Sequence, residues 1–163
     1  MKAKFTPEIF NSPTFGQLDW QQTLKKMVSF MGTDSKASYE LIIGTDSEAR
    51  SGTADFVSAI IVHKSGRGGV YFWSRQKIDN LYSLKQRILN EALISLTLAE
   101  KLVSDFATLG LMDLNLEIHV DIGPNGPTRV MISEIVGMIR GSGFKVATKP
   151  ASWGASHVAD RHV

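Results

Sequence analysis

Three apolar runs stand close together between residues 39 and 78, and they leave this chain few folds to choose from. Tyr39 to Thr45 (Tyr-Glu-Leu-Ile-Ile-Gly-Thr), Phe56 to His63 and Val70 to Ile78 are rich in β-branched and aromatic residues and too short for helices. Ser65-Gly66-Arg67-Gly68-Gly69, between the second and third, is turn chemistry. An antiparallel meander pairs such strands most simply. The period then changes. From Ser83 to Ala107, Leu84, Ile88, Glu91, Ser95, Leu98 and Leu102 recur at spacings of four and three, which lines them along one face of a long helix that Ser83 can cap.

The remaining segments complete an alternating pattern. Leu116 to Ile122 reads as a fourth strand, residues 123–127 (Gly-Pro-Asn-Gly-Pro) as a loop, and Thr128 as the cap of a helix running to about Arg140. Gly141-Ser142-Gly143 ends that helix, Phe144 to Thr148 is a fifth strand, Pro150 breaks it, and Ser152 onward reads as a short last helix. Upstream, residues 5–16 hold Pro7, Pro13 and Gly16 and read as an irregular lead-in. Leu24, Met27, Val28 and Met31 predict a helix from about Asp19 to Met31, stopped by Gly32. Strands joined by crossover helices run parallel, so the sheet is mixed and the class is α/β. Residues 1–38 are expected to form a lead-in and helix packed on one domain of residues 39–163.

Composition narrows the setting. A chain of 163 residues fits one ordinary core. The absence of cysteine excludes a disulfide framework and a thiolate metal site. No stretch reads as a signal peptide or bilayer span, so a cytoplasmic protein without membrane attachment is expected. The net charge is only +2, but residues 50–90 hold seven basic groups (Arg50, Lys64, Arg67, Arg75, Lys77, Lys85, Arg87) against two acids (Asp55, Asp79). One basic region on an otherwise slightly acidic body either attracts a phosphate backbone or is an ordinary solvated surface.

The acids carry most information about chemistry. Asp46 follows the first apolar strand, where the chain is expected to leave the sheet, and Asp121 takes the matching place in Glu117-Ile118-His119-Val120-Asp121-Ile122-Gly123. Open α/β sheets bind ligands beyond the carboxyl ends of their strands. If the first and fourth strands are parallel neighbours, the two carboxylates face each other across about 5 Å, and such anions repel unless a cation or proton lies between them. Glu91 falls within the apolar stripe of the long helix, where it is either a third member of the cluster or a helix-edge acid paired with Arg87. Asp160 is either a fourth or a surface acid beside Arg161.

Element order and acids together resemble the ribonuclease H-like superfamily, and more narrowly the YkuK-like bacterial group of predicted ribonuclease H-related proteins. The matching residues are Ile43-Gly44-Thr45-Asp46-Ser47, the 117–123 segment, Glu134-Ile135-Val136-Gly137-Met138-Ile139-Arg140, Lys149-Pro150, and Ala155-Ser156-His157-Val158-Ala159-Asp160-Arg161-His162. The resemblance implies a five-stranded mixed sheet of order 3-2-1-4-5 with helices on its faces. It also implies four metal-holding acids, which carry over to Asp46, Glu91, Asp121 and Asp160. Two departures stand out: the final helix is very short, and Ala151 follows Lys149-Pro150 where the family often has an acid.

A carboxylate cluster without thiolates favours Mg²⁺ or Mn²⁺ over Zn²⁺. The expected activity is therefore a two-metal-ion nuclease acting on RNA, an RNA–DNA hybrid or structured DNA, with His157 or His162 moving protons. On the third strand Tyr71, Trp73, Arg75 and Lys77 alternate to one face. They either stack on bases and meet phosphates, or cover the sheet and solubilise an edge strand. A non-catalytic nucleic-acid-binding or oligomerising module of the same fold is the competing class, and a phosphohydrolase of small nucleotides is a third.

Overall fold

The computed structural model describes residues 7–32, 36–152 and 154–163, so residues 5 and 6 of the expected lead-in and Trp153 of the expected last helix lie outside it. Seven strands form one sheet: β1 (Ile9–Ser12), β2 (Gly16–Asp19), β3 (Tyr39–Arg50), β4 (Thr53–Lys64), β5 (Gly68–Asp79), β6 (Leu116–His119) and β7 (Lys145–Ala147). The helices are α1 (Trp20–Gly32), α2 (Leu84–Thr108), α3 (Ile132–Gly141) and α4 (Ala155–Asp160). Their spatial order is β2-β1-β5-β4-β3-β6-β7, with β3–β6 and β6–β7 parallel and the other pairs antiparallel.

The expected order 3-2-1-4-5 is present as β5-β4-β3-β6-β7, but the sheet has seven strands rather than five. The extra pair comes from the segment read as irregular. Pro13 and Gly16, at φ +77°, turn a short hairpin in which Ile9 pairs with Asp19 and Ser12 with Gly16. Phe10 anchors it in the core, fully buried and 5.5 Å from the Trp20 ring. Asn11 pairs with Trp73, so β5 is an inner strand and not the expected edge. Four-residue strands punctuated by proline carry too little periodicity to be recognised from sequence.

A second difference matters more for function. β3 and β4 do not stop at Thr45 and Phe56; they run on as a hairpin of two twelve-residue strands closed by Ser51 and Gly52, both at positive φ (49° and 81°). Two left-handed residues make the tight turn that suits the twist of paired strands. Asp46 therefore lies inside a strand, opposite Val57.

α2 begins in the capping box that Ser83 and Gln86 form and buries Ile88, Glu91, Ser95, Leu98 and Leu102 of the predicted stripe, while Leu84 in its first turn stays exposed. It packs on the sheet face that carries Leu41, Ile43, Ile60, Val62, Phe72 and Ile118. The opposite face holds Ile42, Val57 and Ala59 beneath Ala159 of α4. Ser95 Oγ, Thr45 Oγ1 and Ser58 Oγ form a buried hydroxyl chain (2.8 and 3.0 Å) that satisfies polar groups under α2. Thr128 makes no side-chain cap; a 3-10 turn at Arg129–Met131 leads into α3 instead. Among the described residues no helix is long and apolar enough to cross a membrane.

Gly69 faces His63 across the β4–β5 hairpin, and a Cβ there would stand 2.3 Å from the Val62 carbonyl oxygen. Gly69→Ala is expected to destabilise the fold by roughly 1–3 kcal/mol, because the obstacle is backbone. Chemical denaturation measures this; an unchanged midpoint would contradict the register.

Candidate functional site

The site arises where β3 outlasts its neighbour. β6 pairs with β3 only from Leu41↔Leu116 to Gly44↔His119, while β3 continues to Arg50. Two residues beyond the last pair, the register brings Asp46 level with Asp121 just as the second chain leaves the sheet. Both have the same parity as Ile42 and His119, so their side chains emerge on the α4 face. There Asp46, Asp121, Lys149, Pro150, Ser152, His157 and Asp160 line a cleft of about 350 Å³.

The short last helix is held firmly enough to deliver its acid. Ala159 is fully buried against Ile42, Val57 and Ala59. The Gly154 backbone N–H donates to buried His119 Nδ1 at 3.2 Å, and the other ring nitrogen of His119 lies 2.7 Å from Glu117 Oε1. His119 thus joins β6 to the entrance of α4. Beyond the helix His162 stacks on Trp73 (centroids 4.2 Å, planes 8° apart), lies 3.2 Å from the Tyr71 hydroxyl, and accepts Arg75 on its carbonyl oxygen.

Electrostatics reflect crowding of like charge. The Asp46 carboxyl is raised from 3.8 to about 6, first by burial and then by the charges of Asp121 and Asp160 and a hydrogen bond shared with Asp160. The Ser47 backbone N–H, 2.9 Å from Asp46 Oδ1, opposes this. Lys149 Nζ meets Asp121 Oδ1 at 2.9 Å.

Glu91 stands apart from this group. Its carboxylate is buried on the α2 side of β3 and accepts the Ser47 hydroxyl at 2.5 Å; it does not line the cleft. Arg87 reaches the same serine, through Nε to Oγ (3.1 Å) and through its terminal nitrogen to the carbonyl oxygen (2.9 Å). Burial raises Glu91 from 4.5 to about 8; Ser47 and Arg87 lower it, Asp46 and Asp121 raise it further. Ser47 thus touches Asp46 with its backbone and Glu91 with its side chain.

Of the sequence-derived residues, the fold gathers Asp46, Asp121, Asp160 and His157, sets Glu91 behind them, and places His162 on Trp73. Tyr71 and Trp73 are half-buried, while Arg75 and Lys77 are exposed on the same face. His119, expected from the sequence to pack or hydrogen-bond within its strand, does both; sequence reasoning missed Lys149, with Lys149-Pro150 visible only as part of a pattern. Among the described residues no group of three or more His, Asp and Glu side chains is already drawn together as an ion would hold it. By donor chemistry the three cleft carboxyl groups fit a hard divalent cation, since all their donor atoms are oxygens.

Comparison with known proteins bears on what such a cleft belongs to. Residues 22–163 match a family model described as ribonuclease H-like. The chain is 29% identical over 164 residues to the uncharacterized protein YkuK of Bacillus subtilis (strain 168), covering 94% of this chain and 95% of that one. Among solved structures it matches the N-terminal RNase H domain of a Mycobacterium tuberculosis protein, solved as a fusion with maltose-binding protein, at 13% identity and a TM-score of 0.35, over 76% of this chain and 93% of that one. A superposition that low adds nothing to the fold established by the strand pairing.

The raised carboxyls make the cation-free protein sensitive to pH. An acid whose folded value lies above its unfolded one stabilises the fold fully below the unfolded value and loses that contribution as pH rises through the folded one. For Glu91 the window runs from 4.5 to about 8. In excess chelator the melting temperature is expected to fall across it, and Glu91→Gln to remove part of the fall. Parallel melting curves for the two proteins would contradict the burial of a strained carboxyl.

Proposed function

Because the chain belongs to the ribonuclease H-like family, we propose that it is a metal-dependent nuclease hydrolysing phosphodiester bonds of RNA, an RNA–DNA hybrid or structured DNA. The observation that carries this reading is the convergence of Asp46, Asp121 and Asp160, from three separate elements, on one cleft. Those three would hold Mg²⁺ or Mn²⁺. Such an ion, when bound, supplies Lewis-acid activation of water and neutralises charge developing on the leaving oxygen. Asp46, central and shared by the strand hairpin, orients the site. Exposed His157 takes the proton of the attacking water as its oxygen forms the new bond to phosphorus. The ester P–O bond breaks and the leaving oxygen is protonated from solvent. Glu91 acts from behind β3, fixing Ser47.

Register also favours a nucleic-acid substrate. Asp46 pairs with Val57, and Val57 with Arg75, so Arg75 lies in the same cross-strand row two strands away, about 10 Å at ordinary strand spacing. Arg75 and Lys77 would then meet phosphates flanking the scissile one, with Tyr71 and Trp73 further along that face. The competing reading, a binding module without catalysis, is favoured by one observation: the carboxylates are not drawn together around an ion-sized point.

Asp46→Asn separates the two. It is expected to reduce Mn²⁺-dependent cleavage of an RNA–DNA hybrid at least about 100-fold, the upper end of what losing an outer-shell partner causes, with melting temperature not lowered. Cleavage that survives this substitution, or excess chelator, would overturn the nuclease reading.

A further inference from the structure

Among the described residues that line the cleft Lys149 is the one lysine or arginine, and the chain takes unusual care over where it starts. Its backbone N–H donates to the Ile122 carbonyl oxygen at 2.8 Å, fastening the residue to the chain just past Asp121. At position 123 an added Cβ would come within 2.9 Å of Lys149 Cβ, so Gly123 lets the lysine stem lie directly across the end of this segment. From that root the ammonium reaches Asp121 Oδ1, yet the side chain remains 57% exposed, against 35% for Asp121. The group is anchored at its base and open at its tip.

Resting on the nuclease reading above, we propose that Lys149 is a substrate-binding residue of this cleft, its ammonium beside Asp121 meeting a non-bridging oxygen of the phosphodiester. Its role is attraction and placement. An ion at Asp121 and the lysine compete for the same oxygen, so a phosphate that draws the ammonium outward also frees Asp121 for the ion.

The full chain tests this with Lys149→Gln and Lys149→Arg. Mn²⁺ titration followed by electron paramagnetic resonance is expected to show ion binding several-fold tighter in Lys149→Gln than in the wild type. In excess chelator, where no cleavage occurs, affinity for an RNA–DNA hybrid is measured against salt. Lys149→Gln is expected to lower the slope of log affinity against log salt by about 1, and Lys149→Arg to retain it. Unaltered Mn²⁺ affinity in Lys149→Gln, or an unaltered salt slope, would overturn the proposal while leaving the nuclease reading intact. No Mn²⁺ bound by the wild type would remove both. Far-ultraviolet dichroism and the Lys149→Arg control identify a folding defect.

Discussion

The parallel pairing of β3 with β6, and its early end, is the constraint on which the rest depends. Four register pairs hold the two strands together, and then one strand continues while the other departs. A sheet that ended both strands together would leave no place for opposed side chains to meet solvent. Here the long β3–β4 hairpin holds Asp46 rigidly, with a ladder partner on one side and an opening on the other. Asp121 enters that opening at the matching level, carried by a chain that Lys149 and Gly123 hold against the end of the sheet. The cleft follows from a mismatch in strand length.

The third acid depends on a different device. A six-residue helix has no intrinsic stability in water, so α4 must borrow it. It does so at three points: burial of Ala159, the Gly154–His119 hydrogen bond, and the His162 ring stacked on Trp73. The aromatic residues of β5 thereby acquire a structural role. Tyr71, Trp73 and Arg75 all hold His162, which follows Asp160, while the exposed Lys77 lies further along the strand. Arg75 thus belongs both to the clasp and to the cationic end of this face.

Much of this was legible in the sequence, and what was not has identifiable causes. The apolar runs, the 4-3-4 spacing of α2 and the Ser83 cap report directly on burial, and each of those elements is present. The N-terminal hairpin was missed because eight strand residues around Pro13 show no usable period. The extension of β3 was missed because Asp46, Ser47, Glu48 and Arg50 are polar; they are held in the sheet by the tight Ser51-Gly52 turn and not by apolar content. That error concealed why Asp46 is so fixed. Glu91 was correctly placed on the buried stripe, but spacing along one helix cannot say on which side of a strand its carboxylate ends. Lys149 carried no periodic or charge-cluster mark. Its importance comes from the return of β7 past the end of β6, a three-dimensional fact.

The account therefore rests on Asp46 and Asp121 acting through one shared cation at the open end of β3. Crystals soaked in Mn²⁺ and measured at the manganese absorption edge test this most directly. An anomalous peak about 2.0–2.2 Å from a carboxylate oxygen of each residue is the predicted result. A cleft without such a peak, or an ion held by only one of the two while the other keeps to Lys149, would contradict it.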